Sequence, residues 1–236
     1  MDLDHFYSSN EIKIWETILG EKMHYHYAVD SKDNDPFDQA IINLFEFIKP
    51  QSKVLDCGCG WGGPGRLIKE KLDCEVTGVT ISKAQSEYIK DFTVIHETLE
   101  VFTPDKQYDT AIFIESYTHV FESSDMLKRF YPNVNSILIK DFVSDSYKAM
   151  PDWAMQIRSK DTFIDELESS GYKVKKYYEI SDFFQPAIDF WMKNLMNVDP
   201  SLIQGQVNHL FNLCYWYKYK NHRVTNLNQC VIYATK

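Results

Sequence analysis

Residues 53–65 read KVLDCGCGWGGPG. A short apolar run, Val54–Leu55, leads into five glycines within residues 58–65, in a chain of 236 residues that has only nine. Glycine lets a chain turn tightly and lets backbone N–H groups approach a ligand with no Cβ in the way. The following stretch, GRLIKEKLD at 65–73, has a helical pattern, and a helix N-terminus favours a polar or anionic group. Strand, glycine turn and helix together predict a cofactor cradle. GCGWGG fits G-x-G-x-x-G nominally, but that pattern also serves nicotinamide and flavin cofactors, so alone it leaves the ligand open.

Outward from the cradle, strands and helices alternate. CEVTGVTI (74–81), FTVIHE (92–97), YDTAIFIES (108–116) and SILIKDFV (136–143) read as strands. SKAQSEYIKD (82–91) and DMLKRFYPN (125–133) read as helices between them. DTFIDELESSG (161–171) reads as a helix with a glycine stop; YKVKKYYEI (172–180) and NQCVIYATK (228–236) read as late strands. Alternation of this kind predicts an α/β, Rossmann-like, mostly parallel sheet of seven strands with helices on both faces. Upstream, EIKIWETIL and FDQAIINLFEFI read as amphipathic helices, the second stopped by Pro50. The expected organisation is one domain over 1–236. Residues 1–50 form an N-terminal helical cap, 51–180 and 226–236 the core, and 181–225 an aromatic helical lid too long for a plain connection.

Bulk properties narrow the function. A net charge of −9 and an isoelectric point near 5.3 argue against nucleic acid or anionic membranes as partners. Cysteines 57, 59, 74, 214 and 230 form no even framework and no metal-ligand spacing, which predicts a reducing, cytoplasmic setting and no metal site. MDLDHFYSSN has neither the basic start nor the apolar core of a signal peptide. No run approaches the roughly 18 apolar residues of a membrane span.

The set LDCGCGWGG, VTGVTIS, Glu97 and its neighbours, YDTAIFIES and SILIKDF resembles the class I S-adenosylmethionine-dependent methyltransferases, most clearly over about residues 50–145. The resemblance implies S-adenosylmethionine as cofactor. Asp56, Gly58 and Gly60 would hold its methionine moiety, with Cys57, Trp61 and Gly62 of the same turn also binding the cofactor; Glu97 and the Thr98–Leu99 backbone would face the adenine. The position that usually supplies a carboxylate to the ribose is Thr80. VTGVTISKAQ resembles instead the cyclopropane fatty acid synthase subgroup and some isoprenoid methyltransferases. That resemblance places Thr80 and Gln85 at the ribose, with Ile81 between them among the cofactor-binding residues. The missing carboxylate also counts against a nicotinamide cofactor, which needs that acid for its 2′-hydroxyl.

On the acceptor side, a base is required near the end of the fourth strand, where IESYTHVF places His119; histidine's ordinary pKa suits proton removal near neutrality. Glu115 would line the cofactor pocket. The bland alternatives are a helix-start histidine and a solvent-facing carboxylate. The opening stretch resembles small-molecule methyltransferases of the phosphoethanolamine, sarcosine/dimethylglycine and tocopherol types. In the phosphoethanolamine type a tyrosine pairs with a histidine placed like His119, and Tyr7 is the matching residue. MHYHY at 23–27 occupies a place where such enzymes meet cofactor and substrate, which assigns Tyr25 and His26 to the site. Its bland reading packs Tyr25 and Tyr27 inward and leaves His24 and His26 wet. Trp191 and Trp216 are assigned to an aromatic wall for an amine or an apolar chain, or else to the core of the lid. Arg158, with Lys218 and Lys220, lies roughly where the phosphoethanolamine type grips phosphate; a solvated face is the alternative. The expected reaction is methyl transfer to a small-molecule acceptor, at an amine nitrogen first. C-methylation of an isoprenoid or lipid, and a non-catalytic cofactor-binding regulator, are the rivals.

Overall fold

The computed structural model describes residues 12–150, 154–180, 184–220 and 227–236. Helices α1 (Ile12–Leu19) and α2 (Pro36–Ile42) precede β1 (Lys53–Cys57), α3 (Gly63–Leu72), β2 (Glu75–Thr80), α4 (Lys83–Tyr88) and β3 (Thr93–His96). Then come β4 (Tyr108–Ile114), a 3₁₀ turn (Tyr117–His119), α5 (Ser123–Phe130) and β5 (Val134–Val143). A small hairpin, β6 (Lys148–Met150) with β7 (Met155–Ile157), leads to α6 (Lys160–Ser169) and β8 (Lys173–Ile180). Helices α7 (Phe184–Leu195) and α8 (Gly205–Lys220) then precede β9 (Asn228–Thr235).

Seven strands form one sheet in the order β3-β2-β1-β4-β5-β9-β8. Pairings from β3 across to β5 are parallel, and β9 runs antiparallel between β5 and β8. Successive side chains point to opposite faces of a strand, and the sequence is apolar at both parities. Val54, Ile112, Ile114, Leu138 and Val231 join one cluster, completed by Ile41 of α2 and Leu67 and Ile68 of α3. Leu55, Cys57, Ala111, Phe113, Ile137, Ile139 and Ile232 join the other, completed by Met126, Leu127 and Phe130 of α5 and Phe163 and Leu167 of α6. A sheet apolar on both sides demands helices on both sides. The order reverses at β1, whose neighbours are β2 and β4, and ligands of open α/β sheets bind outside the strand carboxyl ends at such a point.

A third cluster lies apart from the two sheet faces. It joins Ile14, Trp15, Ile18 and Leu19 of α1 with Ala187, Ile188, Trp191, Met192 and Leu195 of α7 and Val207, Leu210 and Cys214 of α8. Trp61 of the glycine turn and Phe142 of β5 belong to it, so it brings the N-terminal and late helices over the cradle.

Two details depart from the sequence reading. The helix expected over 37–48 stops at Ile42 and resumes as a 3₁₀ turn at Phe45–Phe47. The break lets Phe37 join the aromatic cluster while Leu44, Phe47 and Ile48 cover the sheet. The β6–β7 hairpin was not expected; its strands are only three residues each and largely half-buried or exposed, too short to show a period. All five cysteines are free and buried. Among the described residues no helix is long and apolar enough to cross a membrane.

Candidate active site

The glycine turn is tied down on the protein side and open on the other. Gly58 and Cys59 N–H both donate to Val79 O, at 2.8 and 3.0 Å, and Gly62 N–H donates to Cys59 O at 2.9 Å. Gly58 has φ +76°, and a Cβ there would lie 2.5 Å from Ser116 Cβ. Ser116 in turn donates its hydroxyl to Cys57 O, clamping β1 to the end of β4. Gly60 differs: its φ is +52°, yet an added Cβ would meet nothing within 4 Å. Among the described residues, the left-handed backbone at Gly60 therefore borders open space, as a cradle for a ligand must.

Asp56 lies behind this turn, 1% exposed. Its Oδ2 has no hydrogen-bond partner among the described residues. Burial pushes the carboxyl up from its ordinary 3.8 to about 7. Gly65 makes room for it, since a Cβ there would sit 3.0 Å from Asp56 Oδ2. A buried carboxylate with an unmet acceptor is costly unless a donor arrives. The amino group of an amino-acid tail is a donor of the right charge, so Asp56 and the open turn at Gly60 fit the methionine end of S-adenosylmethionine.

Next along the sheet edge, Thr80 donates its hydroxyl to Gln85 Oε1 at 2.7 Å and accepts Ser82 N–H at 3.2 Å. Ser82 caps α4 by accepting Gln85 N–H. Thr80 and Gln85 are thereby joined as one buried polar pair. Glu97 N–H donates to Thr80 O at 3.0 Å, with its side chain exposed and Thr98 and Leu99 half-buried beside it. His96 Nε2–H reaches Ile81 O at 3.0 Å.

His119 ends the 3₁₀ turn after β4. Its Nδ1 lies 2.9 Å from Ala154 O. A carbonyl only accepts, so Nδ1 carries the hydrogen and the neutral ring has its lone pair on Nε2. Burial holds the ring's pKa below its ordinary 6.5, which keeps it neutral at physiological pH. Tyr7, the expected partner, lies outside the described residues.

The Glu115 side chain is buried and paired, which overturns the solvent-facing alternative. With φ +55° at the end of β4, its carboxylate accepts Tyr27 N–H at 2.8 and 3.0 Å, Lys140 Nζ at 2.6 Å and Gln229 Nε2 at 2.5 Å. Lys140 also donates to Tyr27 O at 3.3 Å. Both backbone groups of Tyr27 are thus clasped by a buried ion pair rooted in the sheet. The clasp matters energetically. Burying four apolar side chains of α1 (Ile14, Trp15, Ile18, Leu19) is worth about 6–12 kcal/mol. Ordering the backbone of those 8 residues costs about 8–16 kcal/mol. Apolar docking and chain entropy nearly cancel, so polar fastening decides whether the cap stays in place.

MHYHY is fastened on its other side too. His24 and His26 are 3% and 1% exposed, which corrects the reading that left both wet. His26 Nδ1 contacts Tyr27 O at 2.9 Å, His26 Nε2 contacts His24 Nδ1 at 3.0 Å, and His24 Nε2 contacts Asp38 Oδ1 at 2.9 Å. His24 also packs on the cradle; a Cβ at Gly63 would lie 2.7 Å from its Nδ1. His26 therefore serves a buried latch. Tyr25 is half-buried between Trp15 and Trp191, with ring centroids at 5.2 and 5.9 Å. Trp191 is buried in the same cluster; the Trp216 side chain is outside the described set.

Arg158 is the clearest departure from the sequence reading. It is 1% exposed and its Nε donates to both oxygens of Glu166 at 2.9 Å. Its remaining nitrogens reach Val120 O, Ser123 Oγ and Tyr117 O, so the guanidinium is committed inside the protein and not to a phosphate. Lys218 is exposed and paired with Asp189 at 3.0 Å; the Lys220 side chain is not described. Sequence reasoning missed Lys140, Asp141, Ser116 and Asp38, whose partners lie 14 to 113 residues away.

A family model described as mycolic acid cyclopropane synthetase matches residues 3–141. The chain belongs to this family. Its fold is that of the class I S-adenosylmethionine-dependent methyltransferases. A cyclopropane synthase from Mycobacterium tuberculosis superposes with a TM-score of 0.80 at 15% identity, covering 100% of this chain and 97% of that one. Coclaurine N-methyltransferase, in complex with N-methylheliamine and S-adenosylhomocysteine, superposes at 0.73 with 17% identity, covering 99% and 85%. Among curated sequences, (S)-tetrahydroprotoberberine N-methyltransferase of Eschscholzia californica is 30% identical over 147 residues, 55% of this chain and 42% of that protein. Sterol methyltransferase-like 2 of Botryococcus braunii is 36% identical over 92 residues, 34% and 24%. The matched stretch spans less than half the length of either curated relative.

Proposed function

We propose that this protein transfers a methyl group from S-adenosylmethionine to a small-molecule acceptor, with an amine nitrogen as the preferred atom. The observation that carries the reading is the buried, unpartnered Asp56 oxygen behind a glycine turn whose Gly60 borders open space. The sulfonium cofactor supplies an activated methyl group for direct displacement; the protein contributes alignment, exclusion of water and a base. Asp56 accepts from the ammonium of the amino-acid tail. The Thr80–Gln85 pair serves the ribose hydroxyls, and the segment at 97–99 lies where the adenine would be received. His119 takes the acceptor's proton on Nε2 while Nδ1–H stays on Ala154 O. The aromatic cluster of Trp15, Tyr25, Trp61 and Trp191 excludes water, and aromatic faces favour a cationic amine. Similarity to (S)-tetrahydroprotoberberine and phosphoethanolamine N-methyltransferases supports nitrogen.

A second reading is C-methylation of an isoprenoid or lipid. It is favoured by the family's cyclopropane synthases, by the sterol methyltransferase relatives and by the same apolar enclosure. Incubation with methyl-labelled S-adenosylmethionine and a fractionated cell extract separates the readings. Label in the low-mass amine fraction, lost with His119→Ala, is the expected result. Label in the lipid fraction alone would replace nitrogen by carbon as the target. Binding of the cofactor with no transfer into any fraction would make the protein a cofactor-binding regulator and overturn the enzymatic reading.

A further inference from the structure

The turn that presents His119 is gripped by two buried charges that do not pair with each other. From one side, Asp141 Oδ2 accepts Thr118 N–H at 3.0 Å, while its Oδ1 accepts Phe142 N–H at 2.7 Å. From the other, the Arg158 guanidinium donates to Val120 O at 2.8 Å, Ser123 Oγ at 3.0 Å and Tyr117 O at 3.4 Å. Its Cζ also lies over the Tyr117 ring, 4.9 Å from the centroid. Glu166 orients Arg158 through both carboxylate oxygens and accepts the Tyr117 hydroxyl at 2.9 Å. The Thr118 N–H and Tyr117 C=O before residue 119, and the Val120 C=O after it, are therefore fixed by side chains from β5 and from just beyond β7.

Strand β7 adds a second tie. Ala154, which receives His119 Nδ1–H, immediately precedes that strand, and Arg158 immediately follows it. Arg158 O accepts Ser144 N–H at 3.1 Å, joining this segment to the end of β5. The imidazole's acceptor and the guanidinium that holds its backbone thus belong to one short segment.

Such an arrangement is expensive for a mere bend. Asp141 is fully buried with two backbone N–H groups as hydrogen-bond donors, and burial raises its carboxyl to about 7. A 3₁₀ turn forms readily from its own backbone bonds, and burying charge is unfavourable unless it secures something. What the charges secure is the placement of one imidazole.

We propose that Asp141 and Arg158 are positioning residues for His119, acting on methyl transfer through the 117–120 turn without touching cofactor or acceptor. The proposal rests on the reading of His119 as the acceptor-side base. The test is a mutant cycle on the full chain, using Asp141→Asn, Arg158→Lys and His119→Gln. Asn keeps the volume but only one accepting oxygen; Lys keeps the charge but cannot span two carbonyls and a hydroxyl.

Two readouts are taken. One is the initial rate of label transfer from methyl-labelled S-adenosylmethionine into a fixed low-mass amine extract, beside the affinity for S-adenosylhomocysteine. The other is the ¹⁵N signature of the His119 ring, identified by its loss in His119→Gln. Expected results are a 10- to 100-fold slower rate for each positioning variant with affinity changed less than threefold. The ring should pass from a single Nδ1–H tautomer to an averaged one. In the His119→Gln background each positioning variant should slow the residual rate by less than twofold.

Equal slowing in both backgrounds, or an unchanged ring signature, overturns the proposal while leaving His119 as base. An unimpaired His119→Gln enzyme overturns the base reading instead. Should Asp141→Asn fail to fold, Arg158→Lys carries the cycle; should both fail, Glu166→Gln, the half-buried outer member of this hydrogen-bond network, does so.

Discussion

Replacing Asp56 with Asn separates the cradle's electrostatics from its shape. The two side chains are nearly isosteric, so the turn and Gly65 keep their packing. In the free protein the Asp56 carboxyl is lifted from 3.8 to about 7 by burial, a cost to the ionised form of about 4 kcal/mol at about 1.4 kcal/mol per pH unit. The sign follows from linkage: the fold retains a proton that the unfolded chain releases. The stability this group contributes is full below about pH 4 and is lost as pH rises through 7. Asp56→Asn should therefore remove part of the fall in stability between pH 4 and 8. Cofactor binding supplies the missing counter-charge. At pH 7 about half the Asp56 population is protonated, and an arriving ammonium drives it to the carboxylate, so binding should release about half a proton. Loss of one charge-assisted hydrogen bond, about 1.5–3 kcal/mol, lowers affinity by about 10- to 150-fold. Calorimetric titration of S-adenosylhomocysteine at pH 7, in buffers of different ionisation enthalpy, reads both quantities. Unchanged affinity in Asp56→Asn, or no proton release by the wild type, would refute the reasoning.

Further consequences follow from the geometry around the cradle. Gly60→Ala should fold, because its Cβ enters open space and the left-handed backbone costs only about 1–2 kcal/mol; yet it should weaken S-adenosylhomocysteine binding at least tenfold, measured by calorimetry. Gly58→Ala should instead lower thermal stability, because its Cβ would collide with Ser116 at 2.5 Å. Lys140→Met leaves Glu115 as an uncompensated buried carboxylate and should cost about 3–5 kcal/mol, seen as a melting temperature lower by about 6–20 °C. Limited proteolysis of that variant should cut first near residues 20–35, because Tyr27 loses half of its clasp.

The sheet was legible because its strands are short apolar runs between turn residues, and because a strand buried on both faces needs no alternation to be seen. The cradle was legible because five glycines crowd residues 58–65, and glycine is the residue that takes the left-handed backbone at Gly58, Gly60 and Gly62 without steric cost. What stayed hidden were polar residues whose roles depend on distant partners. His24 and His26 look like wet positions until Asp38 and the Tyr27 carbonyl are placed beside them. Glu115 reads as a pocket carboxylate, and only the fold brings Tyr27 to it from 88 residues away. Arg158 reads as a phosphate grip, and only the turn at 117–120 explains its burial. Asp141 sits beside Lys140 in a mostly apolar strand, and nothing local marks a carboxylate that holds a turn 23 residues upstream.

The central claim is that the turn at 56–62 holds the amino-acid end of a sulfonium donor with its reactive end toward His119. A crystal structure of the protein with S-adenosylhomocysteine tests it most directly. The amino group should lie on Asp56, the chain of the ligand along Gly58–Gly60, the ribose at Thr80 and Gln85, and the sulfur facing the His119 side. Ligand bound elsewhere, or a turn at Gly60 closed against protein with no ligand at saturating concentration, would contradict it.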